Sequence, residues 1–169
     1  MLLDLSPVLS EQHTTLDETV SCTLEVFQSK LGTFPIMEKG NIHVAVEYTE
    51  AQKYHICMTG RLVIGIPCDR CLETVPTVFE LDFDRDVEIG ESKENEGNYI
   101  DGYTLDVDKL IYGEILIGWP TKILCSEDCK GICNVCGQNL NQGACNCEDT
   151  GLDPRMSVIR DVFKNFKEV

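Results

Sequence analysis

The sequence contains no uninterrupted apolar run of the roughly 18 residues that a membrane-spanning helix needs. Its opening residues, MLLDLSPVLSEQ, carry neither a basic leader nor an apolar stretch long enough for a signal peptide. We therefore expect no association with a membrane and a cytoplasmic location, in which cysteine thiols stay reduced.

Positive charge is scarce as well. The 14 lysine and arginine residues stand against 29 aspartate and glutamate residues, and the formal net charge is −15. Such a chain repels the phosphates of nucleic acids at long range, so a broad direct grip on RNA or DNA is disfavoured. A basic protein partner fits this charge better, and simple solubility explains it equally well.

Histidine is the third scarcity, and it bears on catalysis. The three histidines, His13, His43 and His55, lie far from the cysteines in sequence and at no metal-ligand spacing. A catalytic zinc site needs an open coordination position and a nearby acid or base. Closed four-cysteine sites offer neither, so we expect no catalytic residue, no small-molecule substrate and no enzymatic activity.

Cysteine, in contrast, is abundant, because the chain has ten of them. The segment Leu124–Asp149 contains a C-x2-C pair followed by Gly137, and then a C-x-C pair. Two such pairs joined by a short loop can place four thiolates around one tetrahedral zinc ion. Gly137 suits the turn after the first pair, where a positive φ is often needed. The predicted ligands of this zinc knuckle are Cys133, Cys136, Cys145 and Cys147.

A second four-cysteine site is also consistent with the spacing. Its predicted ligands are Cys68, Cys71, Cys125 and Cys129, so the chain would bind one zinc ion or two. This site would join two parts of the chain that are distant in sequence. Two alternatives stay open: disulfides, which a cytoplasmic location disfavours, and a redox role for the pair that flanks Arg70.

The pattern of apolar residues predicts an α+β fold based on an antiparallel, barrel-like β meander. Strict alternation predicts strands over Asn41–Tyr48, from Tyr54 to Ile66, and from about Glu73 to Ile89, with Gly60 as a candidate bulge. A weaker pattern predicts strands at Met1–Leu5 and Val20–Phe27. The outward acidic face of the third long run is interpreted as solvated surface, because carboxylates at a spacing of two along a strand are rarely catalytic.

Two helices complete the prediction. Asp106 caps one that runs through about Ile117, within residues 105–118, and Asp153-Pro154 begins a C-terminal one. We expect the polar stretch Gly90–Gly102 to be a loop. The predicted division is a β domain at residues 1–122 and a cysteine-rich segment with the last helix at 123–169, packed as one unit.

Four blocks of sequence resemble those of a known family. They are PCDRCLE at Pro67–Glu73, LDVDKLIYGEILIGWPTKILC at Leu105–Cys125, CKGICNVCGQNLNQGACNC at Cys129–Cys147, and DPRMSVIRD at Asp153–Asp161. In this order and spacing they are similar to the YceD family, the large ribosomal RNA subunit accumulation proteins, over about residues 40–165.

The resemblance implies a bacterial, cytoplasmic and non-enzymatic protein that is needed for accumulation or processing of large-subunit rRNA. Members of the family differ in their C-terminal cysteines, which implies a structural ion rather than a functional centre. The expected partner is then a basic ribosomal protein or a large-subunit precursor particle, and direct contact with RNA stays open. Two other hypotheses remain: a zinc-ribbon protein that binds nucleic acid by itself, and a thiol-redox sensor.

Overall fold

The computed structural model describes residues 1–10, 15–49, 53–88 and 99–147 of the chain. Within these ranges, none of the helices has the length and apolar character needed to cross a membrane. The predicted C-terminal helix that begins at Asp153-Pro154 and the residue His13 both lie outside the described residues.

The described chain divides into two compact units. One consists of Met1–Asp69 and Glu73–Cys125, and contains every helix and strand named below. The other consists, among the described residues, of Arg70–Leu72 and residues 126–147. The division into residues 1–122 and 123–169 stays a prediction.

Nine strands and two helices make up the first unit among the described residues. In chain order they are β1 (Leu2–Asp4), α1 (Ser6–Ser10), β2 (Thr15–Ser21), β3 (Val26–Ser29), β4 (Gly32–Lys39), β5 (Asn41–Tyr48), β6 (Lys53–Pro67), β7 (Thr74–Glu88), β8 (Ile100–Asp101), β9 (Thr104–Asp106) and α2 (Val107–Ile117).

The main sheet is antiparallel and is organised around β6. Strands lie in the order β2-β5-β6-β4-β3, and β7 pairs with β6 along its whole length, from Lys53 opposite Glu88 to Pro67 opposite Thr74. A smaller sheet has the order β1-β9-β8. The predicted meander of three long strands is therefore confirmed, and so is the α+β class. Among the described residues the main sheet is open rather than closed into a barrel, because its end strands β2 and β3 do not pair with each other.

The weakly patterned N-terminal region differs from its prediction. The expected strand Val20–Phe27 is two strands, since β2 ends at Ser21 and β3 begins at Val26. The mainly polar residues before Val20, from Thr15 to Thr19, also belong to β2. Polar residues are tolerated there because only Val20 of β2 is buried, while the backbone pairs with β5 from Thr15 to Ser21. Local composition misses such a strand because pairing, not side-chain burial, stabilises it.

The bulge predicted at Gly60 is not observed there, and the irregularity of the sheet lies in another strand. The pairing of β6 with β7 continues through Gly60, which lies opposite Leu81, and the shift of register lies in β4 between Ile36 and Glu38. Gly60 is instead a point of close approach, because a Cβ there would come within 3.0 Å of the Ile42 side chain. Of the expected loop Gly90–Gly102, residues 90–98 lie outside the described residues, and Ile100–Asp101 forms β8 instead of loop.

Helix α2 covers the inward face of the sheet. The Asp106 side chain accepts a hydrogen bond from the backbone N–H of Lys109, which confirms the predicted N-cap. Past the helix, Trp119 packs against aromatic rings of three strands, with centroid distances of 5.6 Å to Phe27, 5.1 Å to Phe34 and 5.7 Å to Phe79. Trp119, in the segment between α2 and Cys125, thus packs against the core.

Strand β7 follows its alternation, and its one exception has a physical cause. Leu81 and Phe83 are buried, whereas Arg85 occupies an inward position and is exposed. The Arg85 guanidinium carbon lies 5.3 Å from the centroid of the Phe83 ring, a distance at which a cation is attracted to an aromatic face. A charged side chain therefore fits at an apolar position.

Candidate metal centres

The tip of the β6–β7 hairpin places the first cysteine pair. The backbone N–H of Cys68 donates to the Glu73 carbonyl at 2.8 Å and closes the turn. Two further bonds tie the tip to the chain after α2. The N–H of Asp69 donates to the Ile123 carbonyl at 2.8 Å, and the N–H of Ile123 donates to an Asp69 carboxylate oxygen at 2.7 Å. Since Cys125 follows two residues later, this pairing explains why Cys68 and Cys125 come close.

In the second unit, contacts of Arg70 position the cysteine that follows it. Its Nη1 donates to the carbonyl of Cys129 at 2.8 Å and to that of Glu127 at 3.3 Å. Gly131 also lies close to Arg70, because a Cβ at Gly131 would lie 3.2 Å from the Arg70 carbonyl oxygen. Gly131 also has φ of +77°, a conformation that favours glycine. These contacts hold Cys71, the next residue after Arg70, beside Cys129.

The first cysteine cluster consists of Cys68, Cys71, Cys125 and Cys129, whose sulfur atoms all lie within 4.8 Å of one another. A tetrahedral zinc ion with bonds of about 2.3 Å places its sulfurs ~3.8 Å apart, so the spacing fits such an ion. Three of the four residues are buried, and Cys125 is exposed. A metal ion held there would be largely screened from water.

Asn141 supports this cluster from the following loop. Its Nδ2 donates to the Cys129 sulfur at 3.3 Å, and its Oδ1 accepts from the backbone N–H of Lys130 at 2.8 Å. An amide donor stabilises a thiolate and orients it for a metal. Sequence reasoning interpreted Asn141 only as a turn former. Its position in the loop between two ligand pairs is the sole signal available, and it does not identify a contact with Cys129.

The second cysteine cluster consists of Cys133, Cys136, Cys145 and Cys147, and its sulfur atoms also lie within 4.8 Å of one another. The N–H of Cys133 donates to the Gln138 carbonyl at 2.8 Å, and the N–H of Gly137 donates back to the Cys133 carbonyl at 2.9 Å. Gly137 has φ of +75°, as the sequence predicted. The backbone thus folds into a tight turn that points both cysteines of the first pair toward one centre.

Thiol acidity in the second cluster is unequal. Backbone N–H groups of Cys136 and Val135, followed by the Cys145 side chain, lower the pKa of Cys133 to about 6. A hydrogen bond with the Cys136 side chain, together with burial, raises the pKa of Cys147 to about 12. For Cys145 the backbone N–H of Cys147 acts to lower the pKa, but the neighbouring sulfurs of Cys133 and Cys136 and burial raise it overall.

The raised pKa values of Cys145 and Cys147 share an electrostatic cause. Each of these thiols lies beside other sulfurs of the cluster, and a second negative charge so close to the first is unfavourable in the absence of a cation. A divalent cation at the centre removes this restriction and favours four thiolates. Four thiolates would therefore suit a tetrahedral divalent ion such as zinc.

The two remaining cysteines join neither cluster. Cys22 is buried, as expected of a small apolar residue, and burial is the largest cause of the rise in its pKa. Cys57 is half-buried on β6.

Two histidines of the described chain face carboxylates rather than each other. They do not face each other across the β5–β6 hairpin, since His43 lies opposite Thr59 and His55 opposite Glu47. His43 Nε2 lies 2.7 Å from an Asp17 carboxylate oxygen. His55 Nδ1 lies 2.9 Å from an Asp86 oxygen, and this hydrogen bond is the largest cause of the raised pKa of His55.

Comparison with known proteins identifies the family. The family described as the large ribosomal RNA subunit accumulation protein YceD matches residues 56–163. Searches of curated proteins and of solved structures returned no match. The family match spans more than half of the chain and includes all the cysteines of both clusters. The chain therefore belongs to the YceD family, whose description implies a role in the accumulation of large-subunit ribosomal RNA.

Proposed function

We propose that this member of the YceD family is a non-enzymatic, cytoplasmic factor in the biogenesis of the large ribosomal subunit. It supports accumulation or processing of large-subunit rRNA by binding a basic ribosomal protein or an rRNA–protein complex. The observation that carries the proposal is the family match over residues 56–163, which coincides with the region that contains both cysteine clusters.

Zinc has a structural role in this proposal. Each cluster supplies four thiolates, which satisfy a tetrahedral ion and leave no position for a substrate or an activated water. In the second unit, ligation would add stability to loops that contain no helix or extended strand among the described residues. The surface assembled in this way, rather than the ion, contacts the partner.

The charge of the chain favours a protein partner over naked RNA. The formal net charge is −15, and Lys130 is the only basic residue between Cys125 and Cys147. A zinc ribbon that grips phosphates needs several cations near the metal, because each phosphate contact depends on a lysine, an arginine or an N–H donor. Any contact with rRNA is therefore expected to occur within a complex whose proteins supply the positive charge.

Sedimentation of a lysate of the native host through a sucrose gradient tests the proposal. The protein is expected in fractions that contain large-subunit precursors, and its depletion is expected to reduce large-subunit rRNA relative to small-subunit rRNA. Recovery of free protein at the top of the gradient under all salt conditions, with unchanged rRNA ratios, would contradict it. Binding to purified bare RNA that weakens steeply with salt would favour the nucleic-acid-binding alternative.

A thiol sensor is the second candidate function, and the second cluster is the feature that favours it. Cys136 is exposed and its three neighbours are half-buried, so an oxidant can reach thiols that already lie close enough to react with one another. Treatment of the purified protein with mild peroxide distinguishes the two functions. Release of metal with formation of disulfides supports a sensor, whereas unchanged metal content and free thiols support a structural site.

A further inference from the structure

A row of apolar residues crosses four strands on the outward face of the main sheet. Val26 of β3 lies directly opposite Pro35 of β4, and Gly65 of β6 lies directly opposite Pro76 of β7. The two pairs meet, because Pro35 Cγ would lie 3.3 Å from a Cβ built on Gly65. This row is therefore continuous, and it lies near the end of the sheet at which β6 turns toward the hairpin tip.

A second row borders the first on the same face. Val63 lies two residues before Gly65 and opposite Val78, so both share the face of the first row. Met37, at the irregularity of β4, lays its sulfur 3.0 Å from the Cβ position of Gly65. We call these residues the outer apolar patch. Its members are Val26, Pro35, Met37, Val63, Gly65, Pro76 and Val78.

Five members of the patch are open to solvent. Met37 is 55% exposed, Val26 and Val78 are each 47% exposed, and Pro35 and Pro76 are exposed as well, whereas Val63, at 4%, and Gly65 are buried. Single exposed apolar side chains are ordinary, but a contiguous group across four strands indicates a surface that another molecule covers. The opposite face of the same strands is already covered, since Phe27, Ile64 and Phe79 belong to the core.

Charges beside the patch indicate the chemistry of that molecule. Glu38 and Glu80 border it with side chains 69% and 72% exposed, and the Arg61 side chain between them lies 3.9 Å and 3.7 Å away, at the weak end of ion pairing. Farther along β7, the exposed residues Asp82 and Asp84 continue the negative charge. A nucleic acid, or a second copy of this face, would bring like charges together.

We propose that the outer apolar patch docks a lysine- or arginine-rich segment of a partner protein, whose apolar side chains cover the patch while its cations face Glu38, Glu80 and Asp82. The inference rests on the proposed function and assigns a surface to it. Apolar contact supplies the buried area, and the carboxylates supply specificity and rapid association.

Three variants of the full-length, metal-loaded protein test the proposal. Met37→Lys removes the central apolar contact and adds a charge that repels the partner. Met37→Glu removes the same contact but keeps the charge favourable. Ile117→Lys is the matched control, because Ile117 is also exposed, at 69%, and lies at the end of α2, which packs on the other face of the sheet.

Two probes are used with each variant: purified large-subunit precursor particles, and a short synthetic peptide of alternating lysine and valine. Met37→Lys is expected to bind both about tenfold more weakly, and Met37→Glu several-fold more weakly, while Ile117→Lys binds like the parent protein. Equal or tighter peptide binding by Met37→Glu would overturn the proposal, since it would mean that charge alone drives association.

The outcomes separate this inference from the proposed function. If the parent protein and Met37→Lys sediment equally with precursor particles, the docking surface is wrong and the function stands. If the parent protein never sediments with particles, the function fails, and peptide binding that Met37→Lys weakens still supports the patch. If Met37→Lys converts a dimer of this chain to a monomer without changing peptide binding, the patch binds a second copy and the proposal is overturned.

Discussion

Loss of a ligand from the first cysteine cluster is expected to destabilise the protein more than loss of one from the second. The matched perturbations are Cys68→Ser and Cys145→Ser. Each replaces one sulfur of a group whose members lie within 4.8 Å. Each variant is therefore expected to lose one zinc ion of the two per chain. The consequences differ because the two clusters close loops of very different length.

The difference can be estimated from the loop that each ion closes. Cys71 and Cys125 enclose roughly 54 residues, and cross-linking a loop of that length removes ~4 kcal/mol of unfolded-state conformational entropy. Cys136 and Cys145 enclose roughly 9 residues, for which the same relation gives ~2.5 kcal/mol. The free energy of unfolding should therefore fall by ~1.5 kcal/mol more in Cys68→Ser than in Cys145→Ser. Cys68 is also fully buried, which leaves its replacement hydroxyl without water.

Metal content and denaturation in urea provide the assay. Inductively coupled plasma mass spectrometry counts zinc per chain in each variant. The fluorescence of the single tryptophan reports unfolding of the first unit, because Trp119 packs against Phe27, Phe34 and Phe79. A chelator titration of the parent protein, followed in the same way, gives the stability of the metal-free state.

Two results would refute the reasoning. Full zinc content in both variants would mean that these sulfurs are not ligands. Loss of one ion in each, with Cys145→Ser the more destabilised, would mean that loop closure does not set the contribution of the metal. A parent protein purified with no metal and unaffected by chelator would remove the structural role of zinc altogether.

Three further predictions concern single residues. Gly131→Ala is expected to lower the free energy of unfolding by ~1–2 kcal/mol, because Gly131 has φ of +77°. Its control is Gly113→Ala in α2, where a Cβ meets nothing within 4 Å. This control should raise the free energy of unfolding by about 0.5–1 kcal/mol. Asn141→Asp should weaken zinc retention by ~10–100-fold against a chromogenic chelator, since it exchanges an N–H donor for a carboxylate beside a thiolate. The hydrogen bond to Asp86 raises the pKa of His55 in the folded state, so protonated His55 contributes stability at pH values below ~6.5, and this contribution is lost as the pH rises through the raised pKa. His55→Asn should remove this contribution. Melting temperatures of the variant and the parent protein at acidic and at alkaline pH measure the loss.

Each of these has its own contrary outcome. Equal stability changes in Gly131→Ala and Gly113→Ala would show that the left-handed backbone is not strained by a side chain. Asn134→Asp adds the same charge at an exposed loop position, and zinc loss equal to that of Asn141→Asp would assign the effect to charge alone. A melting temperature of His55→Asn that differs from the parent by the same amount at both pH values would exclude a protonation effect.

The long strands and helix α2 could be predicted because their signals are local. Residues of β5, of β6 up to Met58 and of β7 from Val78 to Asp84 alternate between core and solvent. Asp106 stands one residue before an apolar helical stripe. Strand β2 could not be predicted in this way, because its residues from Asp17 to Thr19 are exposed and its stability comes from pairing with β5. The prediction of a bulge at Gly60 was wrong for a related reason. A glycine in a strand can mark either a bulge or a close approach of another chain segment, and only the positions of the neighbouring strands show which of the two applies.

The spacing of the cysteines along the sequence was sufficient to predict which of them group together as ligands, because short spacings restrict which sulfurs can reach a common centre. Net charge likewise led to the prediction of a basic partner rather than a nucleic acid. Only the tertiary structure shows which contacts bring cysteine pairs that are distant in sequence close together. The Asp69–Ile123 pairing, the reach of Arg70 to the Cys129 carbonyl and the amide of Asn141 at a sulfur all join residues whose separation carries no periodic signal. The outer apolar patch belongs to the same class, since its members share a surface only through the registers of four strands, and register depends on the assembled sheet.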